Sequence, residues 1–233
     1  MDRELSWDGC GNVRDLGGLP VAGGRRTRWG AVVRSDTPDR LTERGWAAAA
    51  AHGVRTILDL RDPGELRFEP GLRPRGMTFV SVPLDRRDDP DRSRYGGTPL
   101  YLRPFMDRWP SRCAAALRAI ARAPSGGVLV HCAAGRDRTG LVTILLLALA
   151  GVEHGHILAD YELSTPRLTA LYARLGEPDD GLRVASVLAT AGVTTAEAIT
   201  ALLRDLDIEA YLTAAGLTPA DLTALRARLT EDA

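Results

Sequence analysis

Apolar residues in this chain follow two rhythms. Three short runs are rich in β-branched and apolar residues and stop at turn signals. These are VRTILDLR (54–61), closed by Asp62-Pro63-Gly64, MTFVSVPLD (77–85), closed around Pro83, and GGVLVHC (126–132). The third run is apolar throughout, as a central strand covered on both faces would be. Elsewhere the spacing is helical. Thr42 stands as an N-cap before ERGWAAAAAHG and Gly53 as a stop. TPLYLRPFMDRWPSRCAAALRAIARAP gives one or two helices broken around Pro110, and TGLVTILLLALAGV (139–152) is a helix too apolar for a surface. After Gly151 the spacing stays helical to the end, with Thr218-Pro219 as a cap-and-first-turn start. Residues 31–35 (AVVRS) read only as a short apolar piece, and 85–97 as a charged irregular stretch. The pattern predicts one α/β layered domain over 1–233 with a helical C-terminal third. Its stretch 154–206 serves either as a lid or insertion or as plain packing.

Composition narrows the partners more than the fold. Formal net charge is zero, with 30 basic and 30 acidic residues, which argues against a nucleic acid held by broad electrostatics. Every basic residue is arginine, so the mere presence of an arginine at a given position means little. Three cysteines with no tight spacing do not make a disulfide framework and suit a reducing interior. The first residues carry no apolar leader pattern, so the expectation is a cytoplasmic protein, with leaderless export left open. The longest apolar run, Leu141 to Val152, is too short to cross a bilayer. His52, His154 and His156 lack partners at metal-ligand spacing, so no metal and no cofactor are expected. The sequence leaves the oligomeric state open.

Chemistry concentrates in VLVHCAAGRDRTG (128–140). A strand, a short loop and a helix starting near Arg138 bring backbone N–H groups and a helix N-terminus toward one point, the geometry of an anion site. Gly135 permits the unusual dihedrals such a loop needs. Cys132, at the loop's start, sits in a positive field that favours thiolate over thiol. Arg138 offers a planar fork for phosphate oxygens, and Thr139 either hydrogen-bonds the sulfur or caps the helix. The spacing Cys-x5-Arg alone is weak in so arginine-rich a chain; the whole string on strand–loop–helix is specific. The bland alternative is a packed core cysteine beside a charged turn.

With those residues in view, the chain resembles the cysteine-based phosphatases of signature His-Cys-x5-Arg-(Ser/Thr), and within them the bacterial tyrosine-phosphatase family with loop HCxxGKDRTG. NVRDLGG (12–18), GRRTRWGAVVRSD (24–36), LADYELS (158–164) and YLTAAGLTPADLTALRARL (211–229) are similar to that family's segments. The resemblance implies a central, mostly parallel sheet flanked by helices. It also implies Cys132 as nucleophile, Arg138 as phosphate and transition-state binder, and the loop 133–138 (Ala133, Ala134, Gly135, Arg136, Asp137, Arg138) as a cradle. Thr139 would stabilise the leaving thiolate, and His131 would organise the loop. Arg136 stands where many members have lysine. The implied activity is hydrolysis of phosphotyrosine in protein, with phosphoserine, phosphothreonine or phosphoinositide as further candidates, through a phosphocysteine.

Such chemistry needs a proton donor. Asp85, at the end of the second predicted strand, is favoured because catalytic groups gather at the carboxyl edge of parallel strands. Asp137, inside the loop, is its rival as acid or water-orienting group. Asp59 and Arg61 are expected to form an internal ion pair near the site. For Arg14, Asp15, Arg34 and Asp36 the default reading is salt-bridged surface, with a place behind the cradle as the alternative. Cys113 reads as core, and Cys10, in a glycine-rich N-terminal segment, as a candidate disulfide partner that would protect Cys132. Two competing functions remain, a rhodanese-like sulfurtransferase and a non-catalytic phosphate-binding module.

Overall fold

The computed structural model describes residues 2–65, 74–85 and 89–231. Five strands form one sheet: β1 (Arg14–Asp15), β2 (Val32–Ser35), β3 (Val54–Asp59), β4 (Thr78–Ser81) and β5 (Gly127–His131). Their order is β1-β2-β5-β3-β4, with β1 antiparallel at the edge and the other four parallel. The apolar run 126–132 thus becomes the middle strand, buried along its whole length. Two strands, β1 and β2, go beyond the three that the pattern predicts. β2 carries Arg34 and Ser35 within its four residues, so its apolar signal stops at two positions.

The helices are α1 (Glu43–Ala51), α2 (Pro90–Tyr95), α3 (Leu102–Arg108), α4 (Pro110–Ala121), α5 (Asp137–Ala150), α6 (His154–Glu162), α7 (Ser164–Leu175), α8 (Gly181–Ala191), α9 (Thr195–Arg204), α10 (Ile208–Ala214) and α11 (Pro219–Leu229). Thr42 caps α1 by accepting from Gly45 N, and Thr218 closes a reciprocal capping box with Asp221 at the start of α11. The irregular stretch after Asp85 contains α2, begun by the Asp89 side chain on Asp91 N and by Pro90 in the first turn.

Side chains alternate across the sheet into two apolar layers. Leu129 and Ile57 face Trp46 and Ala49 of α1. Val128, Val130 and Leu58 face the larger layer, where Leu117 of α4, Leu145 of α5, Ile157 of α6, Ile199 of α9 and Leu225 of α11 meet. That second layer explains why α5 is apolar all round: it is enclosed by the sheet on one side and by later helices on the other. The parallel strands β2, β5, β3 and β4 end at a common edge. They deliver Ser35–Thr37, Cys132, Asp59–Arg61 and Asp85 to it.

The stretch 154–206 does not behave as one unit. α6 and α9 bury Ile157, Tyr161, Ile199, Leu202 and Leu203 in the core, whereas α8 buries nothing and leaves Leu182 88% exposed. The lid expectation therefore contracts to the part around α8. Among the described residues no single helix is long and apolar enough to cross a membrane.

Candidate active site

The loop between β5 and α5 has its sulfur at the base. Gly135 N–H donates to Cys132 Sγ at 3.3 Å. Gly135 has φ +70, and a Cβ there would lie 2.4 Å from Ser35 O, so both the dihedral and the space demand glycine. Because α5 begins at Asp137, its first-turn amides have no intrahelical acceptors and face an incoming anion.

The loop's carbonyls, by contrast, are occupied from outside. Cys132 O meets His131 Nδ1 at 3.1 Å, Ala133 O accepts from Thr37 N at 2.9 Å, and Ala134 O accepts from Asn12 Nδ2 at 2.9 Å. Gly135 O accepts from Arg34 Nη2 at 2.7 Å, and Arg136 O from Gly140 N at 2.8 Å. Since a carbonyl only accepts, Nδ1 of His131 carries its proton. Burial pushes His131 below its ordinary pKa and keeps the imidazole neutral. Thr139 is buried, and its Oγ1 has no hydrogen-bond partner among the described residues.

Arg138 is fixed by carboxylates. Its Nη1 and Nη2 bind Glu65 Oε1 and Oε2, both at 2.8 Å, and Nη1 also meets Asp85 Oδ1 at 3.0 Å. This end-on grip leaves the Nε–Nη2 edge for phosphate oxygens. Burial works against charge on Arg138, but Cys132, Glu65 and Asp85 outweigh it and raise its pKa. Arg92 bridges the same two acids, at 3.3 Å from Glu65 and 3.4 Å from Asp85. Asp85 is 3% exposed. Burial raises its pKa above the usual aspartate value, and Arg138 and Arg92 only partly offset that.

Asp85, Cys132, Arg136, Asp137 and Arg138 line one cavity of about 370 Å³, together with Tyr101 and Asp180. The predicted site residues are therefore brought together, with one change of emphasis. Arg136 turns its guanidinium to Asp180, before α8, at 2.9 and 3.1 Å, and its Nε lies 3.5 Å from Asp137 Oδ1. Asp137 thus sits beside an arginine at the rim, while Asp85 lies deeper against Arg138. A wider depression of about 730 Å³ adjoins the cavity and shares Arg92, Ala133 and Asp180 with it; Tyr172 and Glu177 line its far side.

Behind the loop the default reading of Arg14, Asp15, Arg34 and Asp36 as surface fails, since all four are fully buried. Arg14 and Arg34 converge on one carboxylate, Asp160 of α6, at 3.1 and 2.6 Å, and Arg3 joins at 2.5 Å. Burial alone would raise Asp160, but the three arginines hold it well below the carboxylate range. Burial, with Arg34 adding to it, pushes Arg14 down to about 9, still charged at neutral pH. Asp15 instead binds Gly17 N, Gly30 N and His52. Asp59 pairs with Arg61 at 2.7 Å, as the strand pattern predicts. Cys113 is core, and Cys10 is a buried free thiol whose Sγ faces Thr37 O at 3.6 Å.

A family model described as "Tyrosine phosphatase family" matches residues 5–231. The chain belongs to the tyrosine phosphatase family. Similar members include a protein of Cupriavidus necator named as a candidate tyrosine-protein phosphatase, 35% identical over 70% of this chain and 64% of its own length. A tyrosine-protein phosphatase of Nostoc commune is 33% identical over 64% of this chain and 51% of its own. The triple specificity protein phosphatase PtpB of Mycobacterium tuberculosis is 30% identical over 75% and 73%. The chain thus spans less than two thirds of the first two relatives.

In this phosphatase-family chain the sequence pattern pointed to sulfur, fork and acid but passed over the groups that hold them. Glu65 and Arg92 lie in stretches crowded with charge, where no spacing marks a partner. Asn12 and Asp160 stand in NVRDLGG and LADYELS, two of the segments that carry the family resemblance, and that resemblance is the signal that points to them.

Proposed function

We propose that this protein hydrolyses phosphate monoesters through a phosphocysteine, with phosphotyrosine in protein as the principal substrate. The observation that carries the reading is the single cavity that holds Cys132 Sγ under a donated amide with Arg138 and Asp85 alongside. In the first step the sulfur attacks phosphorus while the equatorial oxygens lie on the loop amides and the free edge of Arg138. The proton of Asp85 passes to the departing ester oxygen, which leaves as alcohol or phenol. Water then attacks the phosphocysteine and gives its proton to the Asp85 carboxylate. The sulfur leaves as thiolate and phosphate is released. Thr139, with a buried hydroxyl free to donate, supports that thiolate.

Phosphoserine, phosphothreonine and phosphoinositide belong in the test because the M. tuberculosis relative is named for triple specificity. Initial rates on peptides of each kind and on phosphoinositide, side by side, rank the substrates. Cys132→Ser and Arg138→Ala are each expected to bring turnover to background, while EDTA leaves the wild-type rate unchanged. Turnover of thiosulfate with none of any phosphate ester would overturn the proposal.

A further inference from the structure

The peptide group is planar, so fixing a carbonyl fixes the N–H of the next residue on the opposite side. Ala134 O is held by Asn12 Nδ2, and the N–H of that same peptide, Gly135 N, donates to Cys132 Sγ. Gly135 O is held by Arg34 Nη2, which turns the following N–H, that of Arg136, away from Arg34. We infer that Asn12 and Arg34 are positioning residues that lock the two central peptides of the phosphate loop with their N–H groups inward. This inference rests on the phosphatase reading and names residues that neither touch phosphate nor line its cavity.

The surroundings of Asn12 leave it one orientation. Arg14 Nη1 donates to Asn12 Oδ1 at 2.6 Å, and a guanidinium has no acceptor, so Oδ1 must face Arg14 and the amide nitrogen must face Ala134 O. Asp36 accepts from Gly11 N and Asn12 N, at 3.2 and 2.9 Å, and so anchors the backbone that carries the amide. Arg34 is set in turn by Asp160, at 2.6 Å, and by Ser164 Oγ, at 3.3 Å. Without these donors a carbonyl would be free to rotate toward the anion. A buried acceptor there repels phosphate and thiolate alike.

The test compares Asn12→Ala, Arg34→Lys and Asp15→Asn with the wild-type chain. Asp15→Asn is the control: it disturbs an equally buried polar group three residues after Asn12, in β1, that touches no loop atom among the described residues. Folding is followed by circular dichroism and melting temperature. The loop is read in two ways, the inhibition constant of inorganic phosphate and the rate of iodoacetate alkylation of Cys132 at pH 7. Losing one such hydrogen bond is expected to weaken phosphate about tenfold in Asn12→Ala and to slow alkylation several-fold. Arg34→Lys, which keeps the charge beside Asp160, is expected to weaken phosphate by a similar factor. Should Asn12→Ala not fold, Arg34→Lys carries the same comparison.

Folded Asn12→Ala and Arg34→Lys that match wild type in both readings would overturn the inference. So would an Asp15→Asn protein weakened to the same degree, because the effect would then be loss of general stability. If the wild type hydrolyses no phosphate ester, the functional proposal fails by itself. Alkylation still judges the inference, which stands if Asn12→Ala is slowed and falls if it is not.

Discussion

The acid role proposed for Asp85 is a matter of one residue's surroundings. Burial favours the neutral carboxyl, and Arg138 and Arg92 pull the other way without cancelling it. A proton donor needs that outcome, because the active form is the protonated one and a raised pKa extends it toward neutral pH. For esters with poor leaving groups, turnover is therefore expected to fall as pH rises through the raised Asp85 value. Asp85→Asn should remove that limb and slow such substrates by roughly 10²–10⁴-fold. Aryl phosphates with good leaving groups need little protonation and should be far less affected. Paired pH–rate profiles on an alkyl and a nitrophenyl phosphate decide it. If Asp137→Asn gives this pattern and Asp85→Asn does not, the acid is the rim residue.

Among the elements, legibility followed apolar content. β3, β4, β5, α1 and α5 carry their apolar residues in dense or periodic form, and the strand–loop–helix with Cys132 and Arg138 was readable for the same reason. β1 and β2 were not, since Arg14 and Arg34 look like surface until their partner Asp160 arrives from more than a hundred residues away. The groups that hold the loop from behind are tied together by such distant pairs, which no local pattern records. α8 is the opposite case, apolar in sequence yet unburied. We propose that it covers the cavity as a lid. Its approach is tied down by Asp180 on Arg136 and by Arg183 Nη2, which donates to Gly96 O at 2.5 Å. Asp180 is partly exposed, so this ion pair contributes on the order of 1 kcal/mol or less and can open readily. Asp180→Ala is expected to speed alkylation of Cys132 by a bulky maleimide several-fold while the melting temperature stays within about 2 °C. An unchanged alkylation rate would mean that α8 does not gate the cavity.

At the scale of the whole molecule, Asp160 joins parts that the sequence keeps far apart. Its carboxylate binds Arg3 and Arg14 of the N-terminal segment and Arg34 of β2, while its own helix packs Ile157 and Tyr161 into the main core. The same carboxylate steadies Arg34 and through it the phosphate loop, so fold and site depend on one group. Removing one partner of a buried ion network leaves uncompensated charge and costs about 3–5 kcal/mol. For a chain of this size each kcal/mol moves the melting temperature by about 2–4 °C, so Asp160→Asn should lower it by on the order of 10 °C at pH 7. The sign with pH follows from the depressed pKa. In the unfolded chain an aspartate takes up its proton near its ordinary value, whereas native Asp160 resists protonation until well below it. Its contribution is therefore complete above the usual aspartate range and fades as pH falls through that range toward the depressed native value. Melting curves of wild type and Asp160→Asn should be farthest apart at neutral pH and converge toward pH 2. A gap that stays constant from pH 7 to pH 2 would show that the cost of the substitution lies in packing and not in the charge that ties these segments together.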